Sequence, residues 1–529
     1  MAQSTDERSL ASPPSTSGFG AWMALAAALL GWLFDGFEMG LFSLVGRPAI
    51  RDLLGIHDQP TPAQDGQIGF LFGVIIAAFL VGAATGGVVF GWLGDRIGRV
   101  RAMSLSILTY AIFTGLCGLA TAPWQVGVLR FIASLGMGGE WSLGVALVME
   151  VWPNRSRAFL AGLIGAAANV GYLLVGILGL GLTSFLSQAG DWLSAIGVSH
   201  AWRDTLVAHQ GWRLLMLAGA LPALLTFFIR MFVPESQRWK HEQAGGATSN
   251  WAARDLTGVL IGACGPALIV YLWAADFNLT TRLAGSLLGL LIGTAGYTYP
   301  VLRFLQRDAW QRQTSLRAES GTLVKMLLAA GLSGVALLAT WGSSQWAPFW
   351  ADQLKATGDA TVATAAAKEW TQIWLALGAI VGTILAALAG DLFGRKITYA
   401  GMCITSFFSI VWLYLFNHTY GAGYLASSFV AGVFTASFYG WLPLYLPELF
   451  RTSVRATGQG FGFNFGRILA AVGALQTGNL IGYFTKDVEL FGHTFKGCPV
   501  ACTSMALIYV LGLVLIVFAP ETKGKPLPE

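Results

Sequence analysis

Charge is what this 529-residue chain has least of. Asp, Glu, Lys and Arg together make 11% of it, against about 25% in an ordinary soluble domain. That shortage, beside a hydrophobic share of 55%, excludes a water-soluble fold. The formal charge of +5 is spread over many short loops and does not form the basic face that nucleic acid requires, so no nucleic-acid partner is expected. Histidine is also scarce. The six histidines, His57, His200, His209, His241, His418 and His493, fall in loops or at their edges, so any proton carrier inside a span has to be a carboxylate. Five cysteines are too few for a disulfide framework. Cys117, Cys264 and Cys403 lie in apolar segments and read as small packing residues. Cys498 and Cys502 flank Pro-Val-Ala at the mouth of the last apolar run, where either a disulfide or two unpaired packing cysteines is open. No Ser/His/Asp set, metal-ligand spacing or phosphate-cradling loop stands in a workable context, so no enzyme, cofactor or metal is expected.

Long apolar runs are abundant. They fall at about 20–46, 67–91, 102–121, 124–151, 158–186, 212–233, 256–275, 282–302, 322–349, 367–389, 398–416, 420–446, 456–484 and 501–519. Each is long enough to cross about 30 Å of hydrocarbon at 1.5 Å per residue. The fold class is therefore all-α integral membrane, with about 14 transmembrane helices. Residues 1–19 are polar, rich in Ser and Pro, and lack the layout of a cleaved leader, so they read as a disordered cytoplasmic tail.

With the N-terminus inside, the Lys and Arg residues sort by side. Arg96, Arg99, Arg101, Arg155, Arg157, Arg230, Arg238, Lys240, Arg254, Arg303, Arg307, Arg312, Arg317, Lys325, Arg395, Lys396, Arg451, Arg455, Lys523 and Lys525 fall inside. The outer set is about half as large. Multi-pass insertion in the cell (inner or plasma) membrane follows, with both termini cytoplasmic and lipid as a constant partner. The basic segment Arg303 to Lys325 is expected to lie along the inner surface, where anionic lipid attracts it.

The chain also repeats itself. Gly94-Asp95-Arg96-Ile97-Gly98-Arg99 recurs as Gly390-Asp391-Leu392-Phe393-Gly394-Arg395. Glu150, Arg157-Ala158 and Gly162 recur as Glu448, Arg455-Ala456 and Gly460, and Pro234-Glu235 recurs as Pro520-Glu521. These similar offsets divide the chain into a six-helix bundle at 20–235, a linker with two inserted helices at 236–321, a second six-helix bundle at 322–521 and a tail at 522–529.

Gly91-Trp-Leu-Gly-Asp95-Arg-Ile-Gly-Arg99 resembles the loop between helices 2 and 3 of the major facilitator superfamily. Arg130-Phe-Ile-Ala-Ser-Leu-Gly136-Met-Gly138 resembles its helix 4 motif, and the Pro-Glu closings are similar to those of sugar porters. Phe34-Asp35-Gly36-Phe37-Glu38 and Gly136-Met-Gly-Gly139-Glu140-Trp141 look most like the proton symporters of organic acids, the sialic acid and lactate carriers, with aromatic acid carriers next. The resemblance implies two six-helix bundles around a central site, and a helix 1 acid and helix 4 arginine that couple protons to transport.

Charges inside spans are costly, about 2.5–3.5 kcal/mol each on insertion scales, so each needs a reason. Asp35 is expected to be the coupling acid and Arg130 its partner; a static buried ion pair is the alternative. Glu38 and Glu140 are either proton relays or packing groups. Arg467 offers the forked donors that suit a carboxylate, with Asn464 one turn before it, or else it pairs with Glu140 or Asp35. Asn169, Tyr172, Gln345 and Trp346 are polar positions in apolar spans and are expected to line a cavity or to make contacts between helices.

The repeated loops suggest a cytoplasmic lock. Asp95 can accept from a helix N-terminus in the opposite half, and Arg99 can reach Glu150, with Arg157 nearby; Asp391, Arg395, Glu448 and Arg455 are expected to repeat this. The function these residues point to is proton-coupled symport of a small organic acid (monocarboxylate, sialic acid-like or aromatic) by alternating access. A sugar or polyol symporter and a non-transporting solute sensor are the alternatives.

Overall fold

The computed structural model describes residues 18–56, 58–152, 156–311, 313, 316–355, 366–484, 488–490 and 493–528. Most of the tail expected at 1–19 lies outside this set, but Gly18 and Phe19 already belong to the first helix. The chain is helical almost throughout, because hydrocarbon offers the backbone no partner other than itself.

The first half contains α1 (Gly18–Leu53), α2 (Pro62–Ile97), α3 (Arg99–Cys117), α4 (Pro123–Val151), α5 (Arg157–Leu180), α6 (Leu182–Ala195), α7 (His200–Ala218) and α8 (Ala223–Phe232). The linker holds α9 (Gln237–Ala244), α10 (Leu256–Ala274) and α11 (Leu279–Gln311). The second half contains α12 (Leu316–Gly342), α13 (Ala347–Leu354), α14 (Ala367–Phe393), α15 (Arg395–Leu415), α16 (Ala422–Thr435), α17 (Phe438–Tyr445), α18 (Arg455–Asn464), α19 (Gly466–Tyr483), α20 (Cys498–Ala506) and α21 (Ile508–Leu515). A short antiparallel hairpin, β1 (Val488–Leu490) with β2 (His493–Phe495), precedes α20.

Among the described residues, twelve helical segments are long and apolar enough to cross a membrane. The other two expected spans are present as interrupted helices. The 212–233 run breaks between α7 and α8, where Pro222 has no N–H to give and the chain passes through three-residue turns at Gly219 to Leu221. The 456–484 run is divided at Phe465, between α18 and α19. Some boundaries differ from expectation. The fifth span ends at Leu180, and α6 and the start of α7 occupy a stretch read as loop. Arg303 and Arg307 belong to α11, which runs on to Gln311, and Arg312 of the same basic segment lies outside the described residues. Cys498 and Cys502 are both free and sit one turn apart on α20, with sulfurs 3.7 Å apart. The disulfide alternative is thus overturned.

Glycine sets how closely the helices approach. A methyl group on Gly138 of α4 would lie 2.0 Å from the Ala83 carbonyl oxygen of α2, and one on Gly460 of α18 would lie 1.9 Å from the Gly87 oxygen. The first contact binds the first half internally, and the second closes α2 against the second half. Similarly α5 meets α14 and α17, where a methyl group on Gly165 would lie 2.4 Å from the Tyr439 carbonyl oxygen. The halves are therefore joined along two seams, α2 with α18 and α5 with α14, and a cavity lies between them.

Candidate functional site

The cavity is walled by α1, α5, α12, α14, α16 to α19 and the Ser344–Trp346 turn. Asp35, Asn169, Tyr172, Gln345 and Arg467 all line it, together with Gln372, Thr340, Tyr439 and the aromatic rings of Trp32, Trp341 and Phe463. Gln372 and Tyr439, polar groups in apolar runs, carried the same signal as Gln345. The aromatic rings carried none, since most Trp and Phe residues here face lipid or core.

Arg467 is buried in the wall of this cavity, with its guanidinium carbon 5.6 Å from the centre of the Phe463 ring. Its Nε and Nη1 have no hydrogen-bond partner, and its charge interacts with Asp35, Tyr439 and Tyr172. Asp35 is buried, with Oδ1 unpartnered; the charges that act on it are Glu140, Arg467 and Glu38. Glu140 packs its carboxyl against Gly31, one turn from Asp35, so closely that a methyl group there would meet Oε1 at 1.7 Å.

The expected pairing of Asp35 with Arg130 is not formed. Arg130 donates through Nη1 to Glu38 Oε1, which also accepts from Thr114 Oγ1 at 3.3 Å. The guanidinium lies over Phe42 and Phe79, 4.0 and 4.7 Å from their centres. The reason is depth. Helices α1 and α4 run antiparallel, so the residue opposite Arg130 lies further along α1 than Asp35, and Glu38 is one turn further. Asp35 is left at the level of Glu140 and Arg467.

Two other expected lining residues are absent from the cavity. Asn464 turns its amide to the Gly138 and Gly460 carbonyls at 2.8 and 3.1 Å, joining α18 to α4. Trp346 donates Nε1 to the Trp341 carbonyl at 3.2 Å and packs edge-on against Phe349. Both are contacts within the protein. Asn169 lines the cavity while donating to the Gly165 carbonyl at 3.0 Å, and Gln372 bridges the halves by donating to the Tyr172 carbonyl at 3.1 Å.

On the lock side an aromatic floor closes the cavity, with Trp141 of α4 stacked on Phe463 of α18 at 3.9 Å. Beyond it lies the lock. Asp95 accepts from the backbone N–H of Ala456 (3.2 Å) and Thr457 (2.8 Å), first-turn donors of α18 that have no partner within the helix, and from Thr457 Oγ1 at 2.6 Å. Arg99 donates to Asp95 (2.9 Å), Glu150 (3.1 Å) and the Thr452 carbonyl (2.7 Å). Arg455 completes the chain with a 2.8 Å bond to the same Glu150 oxygen. These groups are buried, where charge-assisted bonds have little competition from water.

The second copy of the motif does less. Arg395 takes Glu448 in a two-pronged pair at 3.0 and 2.7 Å, but Asp391 is exposed, lies 3.6 Å from Arg395 and, among the described residues, caps nothing in the first half. Arg157 donates Nε to the Met149 carbonyl at 3.1 Å, within its own half. The lock is therefore asymmetric. The segment read as a tail from 522 is part of it: Pro528 accepts from Arg455 at 2.6 Å, and Thr522 Oγ1 donates to Glu448 at 2.6 Å.

The Pro-Glu repeat has a job that the sequence did not disclose. Glu235 accepts from the N–H of Arg99 (2.9 Å) and Val100 (3.1 Å), capping α3. Glu521 does the same for α15 through Arg395 and Lys396, at 3.1 and 3.2 Å. The preceding glycines, Gly98 and Gly394, have φ of 108° and 97°, which disfavours any side chain, and a methyl group on Gly98 would meet the Glu235 carboxylate at 2.3 Å. Burial pushes the Glu235 carboxyl above its ordinary range. Burial also works upward on Glu521, but the N–H groups of Lys523, Arg395, Lys396 and Thr522 outweigh it and hold that carboxyl low.

Two helical halves around a charged central cavity, closed at one end by a motif-built lock, define a membrane transporter of the major facilitator type, not an enzyme. The chain belongs to the sugar (and other) transporter family, whose model matches residues 23–255 and 277–523. It is 26% identical over 508 residues to a Haemophilus influenzae protein named for metabolite transport, covering 96% of this chain and 98% of the relative. It is 26% identical to the cis,cis-muconate transport protein of Acinetobacter baylyi (78% and 79% covered) and 24% identical to a Cupriavidus pinatubonensis protein named for 4-methylmuconolactone (94% and 90%). Among solved structures, the proton:xylose symporter XylE bound to 6-bromo-6-deoxy-D-glucose matches with a TM-score of 0.62 at 18% identity, over 96% of this chain and 98% of that one. The human organic anion transporter MFSD10 matches at 0.56 and 17%, over 94% and 99%. Both structures share the fold.

Proposed function

We propose that this secondary transporter is a proton-coupled symporter of a small organic acid, of the unsaturated or aromatic carboxylate kind, working by alternating access. The observation that carries the reading is Arg467: a buried guanidinium with two nitrogens unpartnered, at the wall of an aromatic-lined cavity and within electrostatic reach of Asp35. Planar forked donors recognise a carboxylate, and Trp32, Trp341 and Phe463 give a flat conjugated solute surfaces to stack on. The relatives named for cis,cis-muconate and 4-methylmuconolactone support this class.

In this reading Asp35 carries the proton and Glu140 is its relay, while Glu38 and Arg130 form a fixed pair that orients α1 on α4. The bundles at 20–235 and 322–521 are the moving bodies, in the inner membrane with both termini cytoplasmic, as the sorting of Lys and Arg supports. A sugar symporter is the second reading, favoured by the uncharged donors Asn169, Gln345 and Gln372 on the same wall.

Thermal stability of the purified protein separates the two. With cis,cis-muconate, benzoate, lactate, sialic acid, glucose, xylose and phosphate offered at acid and neutral pH, an unsaturated or aromatic acid is expected to stabilise the fold, more strongly at acid pH. A solute at a hundred times its Kd adds about 2.7 kcal/mol. Stabilisation by a hexose or pentose alone would transfer the assignment to the sugar reading.

A further inference from the structure

The lock accounts for the repeated motifs but not for the inserted pair, α10 and α11, which fastens to both halves beside it. The pair is a tight unit. A methyl group on Gly265 would lie 2.2 Å from the Gly289 carbonyl oxygen, and one on Gly296 would lie 2.3 Å from the Gly262 Cα. Its outer face, with Leu260, Ile261, Leu287 and Leu291, is exposed, as a lipid-facing surface should be. At its base, Arg307 grips Asp255 with two bonds of 2.6 and 2.7 Å and the Asn250 carbonyl with a third of 2.6 Å, tying the end of α11 to the start of α10.

From this unit, attachments run in two directions. Tyr297 shares a 2.7 Å hydrogen bond with Thr85 on α2, in the first half, with both residues buried. Toward the second half, Asp308 pairs with Arg451 at 2.7 Å, and Trp251 donates to the Ser453 carbonyl at 3.2 Å while stacked 4.4 Å from Phe304. The ring of Tyr297 also meets Phe465 edge-on at 6.2 Å. Arg451 and Ser453 are the neighbours of Thr452, whose carbonyl accepts from Arg99 in the lock.

We propose that the inserted pair is a strap across the lock, and that Asp308 is a positioning residue for the transport cycle, acting through Arg451. Opening the cavity on the lock side must draw Asp95 away from the first turn of α18. The same displacement carries α2, with Thr85, away from Arg451, Ser453 and Phe465. A rigid pair cannot follow both, so either the Thr85–Tyr297 bond or the Asp308–Arg451 bond has to break. The strap therefore favours the closed lock and raises the cost of leaving it, whatever solute the cavity takes.

The test uses the full-length protein in lipid nanodiscs, with the native cysteines replaced and spin labels at Arg101 and Leu392, one exposed site in each half near the lock. Asp308→Asn is expected to raise the ratio of lock-open to lock-closed molecules about tenfold, the scale of one lost charge-assisted bond. Tyr297→Phe, which removes only a hydroxyl, should shift the ratio the same way by a smaller factor. Exchanging the charges, Asp308→Arg with Arg451→Asp, should return it toward the parent value. Asp308→Asn and Tyr297→Phe distance distributions that both match the parent would overturn the proposal. So would a charge exchange that leaves the ratio at the Asp308→Asn value, since the effect would then come from local damage.

Discussion

With Asp35 replaced by asparagine, the protein is expected to lose accumulation of its solute against a gradient while still exchanging labelled for unlabelled solute. The argument is geometric. Of the three acids clustered between α1 and α4, Glu38 is taken up by Arg130 and Thr114. Glu140 is wedged against Gly31 and does not line the cavity. Asp35 alone among them lines it, with Oδ1 unpartnered and Arg467 on the same wall. A proton on Asp35 removes the charge that reorientation would otherwise carry through an apolar interior, and asparagine fixes that neutral state permanently. For one proton per monoanion, a pH gradient of about one unit supports about tenfold accumulation, since one unit is worth about 1.4 kcal/mol. The Asp35→Asn protein should settle at no accumulation, with exchange retained. Uphill uptake surviving in that variant would remove Asp35 from the coupling role.

Arg467→Gln is expected to weaken carboxylate transport by about 10- to 100-fold in kcat/KM, the loss of one or two charge-assisted hydrogen bonds in a dry site. Arg467→Lys should recover only part of this, because an ammonium keeps the charge but not the fork. Competition by neutral sugars separates recognition from a purely internal role. If Arg467 grips the solute, any weak sugar binding is unaffected by the change. If it only balances the charge of Asp35, all solutes suffer alike. Glutamine keeps much of the volume beside Phe463, so cavity collapse should not confuse the result.

How much of this was legible beforehand depends on whether a residue's role is local or three-dimensional. The membrane class, the spans and the bond from Asp95 to a helix start in the other half all follow from composition, run length and a repeated motif. Chain position could not reveal depth across a helix pair. Asp35 and Glu38 share a face of α1, and only the antiparallel register with α4 decides which of them Arg130 reaches. Nor could a repeat reveal that its copies differ: Asp391 has the same motif as Asp95 but is exposed, and among the described residues it pairs only loosely, with Arg395 of its own half. The capping by Glu235 and Glu521 was visible as a pattern, but its purpose depends on chain segments more than a hundred residues away in sequence. Asn464 and Trp346 were polar positions in apolar runs like Asn169 and Gln345, and the sequence alone holds nothing that sorts cavity-facing polar groups from those that join helices.

Proton-driven uptake is the most direct test of the central claim. Protein in sealed liposomes, acid outside and neutral inside, is given the acid that best stabilises it, while a pH dye reports the lumen. The account predicts accumulation above the outside concentration together with lumenal acidification that depends on the solute, both abolished by Asp35→Asn. Accumulation that ignores the pH gradient, or solute entry with no accompanying proton in the unaltered protein, would contradict it.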